Sequence, residues 1–149
     1  VLITLHILLL LTLIAIVVID LRQQIIPDAL NMVVLGLGIG ALAAQPAAPL
    51  TDALIGALAL GGLGALLAGP YSRWRGRDML GWGDVKFMVA AGVWLPLASI
   101  GWFLALAGTL GMLFALLRQR GSTNLWQAEL PFAPALCISL AVMVLLRWL

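Results

Sequence analysis

The first nineteen residues, Val1 to Ile19, carry no charged side chain, and Asp20 closes the run. Further uncharged stretches cover 29–51, 53–72, 87–117 and 130–146. A helix needs about 20 apolar residues to cross the hydrocarbon core of a bilayer. Backbone polar groups in lipid must also be satisfied internally, which selects helices for such runs. The pattern predicts an all-α polytopic membrane protein. Only eight basic and six acidic side chains punctuate the 149 residues. With a mean hydropathy of +1.16, the chain is not an ordinary soluble domain.

The punctuation marks a bundle of six transmembrane helices forming one membrane-embedded domain over 1–149. Residues 1–19 lack the basic start and small-residue cleavage site of a signal peptide, so they read as a retained helix ending near Leu21. The chain opens on Val1 rather than a methionine, which leaves room for a longer protein. Pro27 separates helix one from helix two, and Asp28 is suited to cap the latter, which runs from about Ala29 to Ala44. Helix three follows the turn at 45–49, capped by Thr51 or Asp52, and lasts to about Ala68, where Gly69 and Pro70 open a polar loop. Helix four, from Asp84 to about Leu95, is short. Helix five covers about Ala98 to Leu117, and a last helix runs from Pro131 to Leu149. Gly36 with Gly40, and Ala57 with Gly61, have the four-residue spacing that lets helix backbones approach closely.

Alternating the helices across a bilayer gathers Arg22, Arg73, Arg75, Arg77, Lys86, Arg118 and Arg120 on one side and leaves Arg147 on the other. By the positive-inside rule the first side is cytoplasmic and the N-terminus lies outside. Asp20, Asp28, Asp78, Asp84 and Glu129 then fall at the cytoplasmic face, with Asp52 opposite. The basic segment with Tyr71 and Trp74 reads as an anchor to anionic lipid headgroups, not as a nucleic-acid surface. Cys137 lies in an apolar run without a second thiol and reads as a small buried hydrophobe. His6 has no Ser, Cys or metal-ligand partner at useful spacing.

Two carboxylates remain to be explained. Charged groups at membrane depth are costly and mark function by default. Asp20 ends helix one and Asp84 begins helix four on the same face. Two carboxyl groups that approach within a few ångströms share a proton, and such a pair can activate a water against a peptide carbonyl. Gly81 and Gly83, just before Asp84, give the main chain freedom and let another backbone come close. Taken alone, a glycine-flanked Asp at a helix start is more often structural than catalytic. The competing reading is a proton-coupled transporter or channel, which would place its carboxylates deeper in the span.

The stretch Asp20-Leu-Arg-Gln-Gln-Ile-Ile-Pro27-Asp28, followed by Gly81-Trp-Gly83-Asp84-Val-Lys86, resembles the type IV prepilin leader peptidase family. Leu130-Pro-Phe-Ala-Pro134 is similar to that family's Pro-Phe-Gly-Pro segment, with Ala in place of Gly. The resemblance implies a membrane aspartyl endopeptidase that removes the short basic leader of prepilins or pseudopilins at the cytoplasmic face of the bacterial inner membrane. It maps the catalytic aspartates onto Asp20 and Asp84, with Pro27, Asp28, Gly81, Gly83 and Lys86 as supporting positions. It implies no cofactor or metal. Many members also carry paired CxxC motifs and methylate the new pilin N-terminus, and nothing in these residues supports that second activity.

Overall fold

The computed structural model describes residues 1–45, 49–76, 80–119 and 132–146. Six helices are formed among them: α1 (Leu2–Gln23), α2 (Asp28–Ala43), α3 (Leu50–Leu66), α4 (Trp82–Trp94), α5 (Ile100–Gln119) and α6 (Ala133–Leu146). Three apolar segments, Leu2–Gln23, Leu50–Trp74 and Leu97–Leu117, are long enough to cross a membrane, and α2 and α6 are shorter apolar helices. The protein is a helical membrane protein. Arg77, Asp78, Arg120, Glu129, Pro131, Arg147 and most of the turn at 46–49 lie outside the described residues.

The faces of α1 explain its setting. Leu9, Leu13, Ile16 and Asp20 are its buried residues, spaced so that they line one side of a helix. The opposite side carries Ile3, Ile7, Leu11, Ile14, Val18 and Leu21, all exposed and all apolar. A soluble helix would place polar groups there, and lipid is the medium that accepts this face. Asp20 is thus the last rung of the inward stripe.

Helix α4 is the centre of the bundle. Seven of its 13 residues are buried, over a wider face than a helix at the edge of a bundle would bury. It packs most extensively against α3 and α2. A Cβ placed on Gly92 would lie 2.5 Å from the Ala57 nitrogen and from the Gly56 oxygen, and one on Gly61 would lie 2.5 Å from the Val89 side chain. These glycines are required by space, since only a bare Cα permits such an approach. The Ala57 and Gly61 pair therefore marks a true seam. Gly36 and Gly40 do not: nothing lies within 4 Å of a Cβ on Gly36, and the close approach on α2 is at Gly38. There the missing side chain bares the Val34 carbonyl, which accepts a hydrogen bond from Trp94 Nε1 at 3.0 Å. His6 of α1 meets the same indole edge-on, with ring centroids 5.4 Å apart.

Two expected boundaries are corrected. Pro70 does not end the third helix. A π-helical turn, Leu67–Tyr71, absorbs it, and Ser72–Arg75 carries the helix on to Gly76, whose φ of 71° closes it. Proline has no N–H to give to the preceding turn, and across the same π turn the Ser72 hydroxyl donates to the Leu67 carbonyl at 2.7 Å. The expected caps are also replaced. Pro27 and Pro49 occupy the N-cap positions of α2 and α3, and neither helix has a side-chain cap hydrogen bond.

Candidate active site

Asp20, in the last turn of α1, and Asp84, in the first turn of α4, lie within electrostatic reach of each other. Helix α1 stops because Gln24 adopts a left-handed conformation, φ 54°, with its N–H donating to the Asp20 carbonyl at 2.8 Å. The chain then turns through Ile26 and Pro27 into α2. Asp20 is 5% exposed, and its Oδ2 has no hydrogen-bond partner among the described residues.

Asp84 is the third residue of α4, and its carboxylate accepts the N–H of Gly81, the N-cap residue. This is the return arm of a capping box, in which an acidic side chain at the third position reaches back to the start of its helix. The structural and the chemical readings of Asp84 are therefore compatible. The carboxylate is half-buried and close enough to Asp20 for the charge of one to act on the other.

The glycines serve by their size rather than by conformational freedom. Gly81 has φ −70°, open to any residue. A Cβ there would sit 3.4 Å from Asp84 Oδ2, on the carboxylate itself. A Cβ on Gly83 would lie 3.3 Å from the Ile26 Cβ and 3.5 Å from its carbonyl oxygen. The backbone that Gly83 admits is thus the protein's own linker between α1 and α2, held by the buried Ile26.

Asp28 and Lys86 pair with each other. Lys86 Nζ donates to both Asp28 carboxylate oxygens, at 2.6 and 2.8 Å, bridging the first turns of α2 and α4 at the exposed rim. The expectation that Asp28 caps α2 gives way to this ion pair. Pro27 fixes the extended entry to α2, with φ −62° and ψ 132°.

Two further residues reach the site. Asn31 is buried, and its Nδ2 donates to the Gly83 carbonyl at 3.2 Å. It is the only polar side chain between Ala29 and Ala43, a signal that could have singled it out. Cys137 of α6 is buried, within electrostatic reach of both aspartates. Among the described residues no group of three or more His, Cys, Asp or Glu is arranged to hold a metal ion.

Chemically, the end of the bundle offers two neighbouring carboxyl groups, one inward and nearly enclosed and one half-open. Residues 7–116 match the model of the type IV leader peptidase family. The chain is 33% identical over 135 residues to a prepilin leader peptidase/N-methyltransferase of Dickeya chrysanthemi, covering 90% of this chain and 47% of that protein. It is 35% identical over 134 residues to a type 4 prepilin-like proteins leader peptide-processing enzyme of Escherichia coli O78:H11, covering 86% and 45%. A third relative, the prepilin leader peptidase/N-methyltransferase of Aeromonas salmonicida strain A449, is 31% identical over 131 residues, covering 85% and 44%. The chain spans about half the length of these relatives. No solved structure matches it.

Proposed function

The chain belongs to the type IV leader peptidase family, and on that premise we propose that it is a membrane aspartyl endopeptidase cutting the short basic leader of type IV prepilins or pseudopilins. Residues 1–149 act as one peptidase domain in the bacterial inner membrane, with the N-terminus outside and the site at the cytoplasmic face. The observation that supports the reading is that Asp20 and Asp84, 64 positions apart in the chain, lie within electrostatic reach of each other.

The pair holds one proton between two carboxyl groups. The ionised member takes a proton from a water as its oxygen attacks the scissile carbonyl, and the protonated member gives its proton to the carbonyl oxygen. Collapse of the tetrahedral intermediate breaks the C–N bond as a proton passes to the leaving amine. The resulting acid and amine leave the pair with one proton again. The apolar helix of the pilin packs beside the exposed apolar faces of the bundle and brings its leader junction to the carboxyl groups, converting an encounter in solution into a positioned one.

Orientation rests on the basic residues Arg22, Arg73, Arg75, Arg77, Lys86, Arg118 and Arg120, which the alternation of helices gathers on the side of both aspartates. Trp74 and Trp82, 79% and 61% exposed, belong on that side as interfacial anchors in lipid headgroups. A proton-relay reading needs carboxylates along the span. Those described stand in end turns, with Asp20, Asp28 and Asp84 at one face and Asp52 in the first turn of α3 at the other.

Co-expression with a prepilin substrate, comparing wild type with Asp20→Asn and Asp84→Asn on a gel, tests the reading. Loss of the shortened pilin in both variants is expected. Full cleavage by either one would sink the dyad.

A further inference from the structure

Asn31 stands out because it is buried and polar without being fully used. It is 4% exposed. One half of its amide is committed, Nδ2 donating to the Gly83 carbonyl at 3.2 Å. The other half, Oδ1, is buried with no hydrogen-bond partner among the described residues. The amide orientation is fixed by this contact, since the opposite one would set oxygen against oxygen at Gly83. A buried acceptor left unpaired costs stability, and an apolar residue of the same shape would avoid the cost. Packing alone therefore does not account for an amide at this place.

What the amide grips is the peptide group directly before Asp84. The Gly83 carbonyl belongs to the Gly83–Asp84 peptide plane, and fixing that plane places the Asp84 Cα, from which the helical φ of Asp84 sets the direction of the Cα–Cβ bond. Gly83 sits in the first turn of α4, and its bare Cα leaves room for Ile26, which a Cβ there would meet at 3.3 Å. The same first turn receives the Gly81 N–H on the Asp84 carboxylate. The carboxylate is thus oriented from one side by its own helix and from the other, through the main chain, by α2.

We propose that Asn31 is a positioning residue of the peptidase site, holding the Gly83–Asp84 peptide so that the Asp84 carboxyl meets Asp20 in working geometry. The inference rests on the peptidase reading above. It assigns α2 a part in catalysis beyond its place in the bundle, and the titratable groups around the gripped peptide are Asp84, which follows it in the chain, with Asp20 and Cys137 in electrostatic reach of Asp84.

The test measures cleavage of a prepilin by the full chain in detergent, with kcat and KM resolved, across a range of pH. Asn31→Leu removes the donor, and Asn31→Asp keeps the shape while making the donor depend on protonation. A misplacement on the ångström scale is worth about tenfold to a hundredfold in rate. Asn31→Leu is therefore expected to lose about that factor in kcat with KM within about twofold of wild type, and its ratio to wild type stays flat with pH. For Asn31→Asp the introduced carboxyl donates to Gly83 only when protonated, so its kcat relative to wild type rises as pH falls. An Asn31→Leu variant with wild-type kcat would overturn the assignment. So would a flat ratio for Asn31→Asp, and that variant decides alone if Asn31→Leu does not fold. Wild type that fails to cleave, or Asp84→Asn that cleaves, brings down the peptidase reading and this inference with it. Active wild type beside unaffected Asn31 variants brings down this inference only.

Discussion

Asp20 and Asp84 are supported in opposite ways, although they stand together. Asp20 closes the inward stripe of α1 and is enclosed by burial, with Oδ2 unpartnered among the described residues. Asp84 opens α4, and its carboxylate is tied to the Gly81 N–H while the peptide before it is tied to Asn31. The comparison teaches that the geometry of the pair is set from the α4 side. Changes that shift the first turn of α4 should cost activity beyond their cost in stability, whereas α1 tolerates adjustment as long as Asp20 remains a carboxyl.

The largest expected effect tests whether both members are needed. Proton transfer by a positioned group contributes about 10²- to 10⁴-fold to rate, so Asp20→Asn and Asp84→Asn should each lose activity on that scale. Thermal unfolding in detergent should show that neither loss comes from unfolding. Asp84→Asn keeps an oxygen to accept the Gly81 N–H and should match wild type, while Asp20→Asn removes an enclosed acid and should be at least as stable as wild type. A strongly destabilised Asp20→Asn variant would show that Asp20 has a structural partner and would break the contrast.

The next effect concerns the seat of α4. A side chain at Gly92 meets the backbone of α3 at 2.5 Å, where no rotamer change gives relief. Gly92→Val should cost about 1–3 kcal/mol of stability or more, as overpacking does, and lower the yield of folded protein. Gly36→Ala is the matched control, with nothing within 4 Å of the added carbon, and should stay within about 0.5 kcal/mol of wild type. Equal losses at both positions would mean that α4 is not the tightly seated element.

Much of this was readable before any coordinates. An apolar run of membrane length has few alternatives to a helix, so six helices and the shortness of α4 followed from where charges and prolines fall. Carboxylates in such a sequence are conspicuous, which is how Asp20 and Asp84 came forward. What escaped depends on neighbours brought in from elsewhere in the chain. Pro70 looks like a terminator, but a π-helical turn, Leu67–Tyr71, takes it into the helix. Asp28 looks like a cap until Lys86, 58 positions on, takes its carboxylate. Gly36 and Gly40 have the right spacing, but a Cβ meets nothing within 4 Å at the first and only the Leu5 side chain, at 3.8 Å, at the second. Asn31 gives its sole clue as a lone amide in an apolar run, and its partner, a main-chain carbonyl, leaves no trace in the sequence.

A smaller effect follows at the two motif glycines. A Cβ on Gly83 presses on Ile26 at 3.3 Å, tighter than ordinary contact, and shifts the peptide that carries Asp84. Gly83→Ala should therefore lower kcat by about tenfold, the scale of a small displacement at a reacting group, with little change in thermal stability. Gly81→Ala meets Asp84 Oδ2 at 3.4 Å in a backbone conformation that alanine accepts, and should cost less. Measuring kcat for both sharpens the comparison, and the reverse order would show that access to the carboxylate matters more than its placement.

The smallest effect lies at the rim. The Asp28–Lys86 pair joins the same two helix starts as Asn31 and Gly83 do, but its side chains are 67% and 53% exposed. Water and salt screen such a pair, and exposed ion pairs contribute about 0–1 kcal/mol. Asp28→Asn and Lys86→Gln should each lower kcat/KM by no more than about fivefold at low salt, less as ionic strength rises. The exchanged double variant, Asp28→Lys with Lys86→Asp, should recover most of the loss if the pair serves only to draw the two turns together. Failure of the exchange, with activity lost whenever the acid leaves position 28, would instead assign that exposed carboxylate to the basic leader of the substrate, because only a role outside the pair distinguishes its two ends.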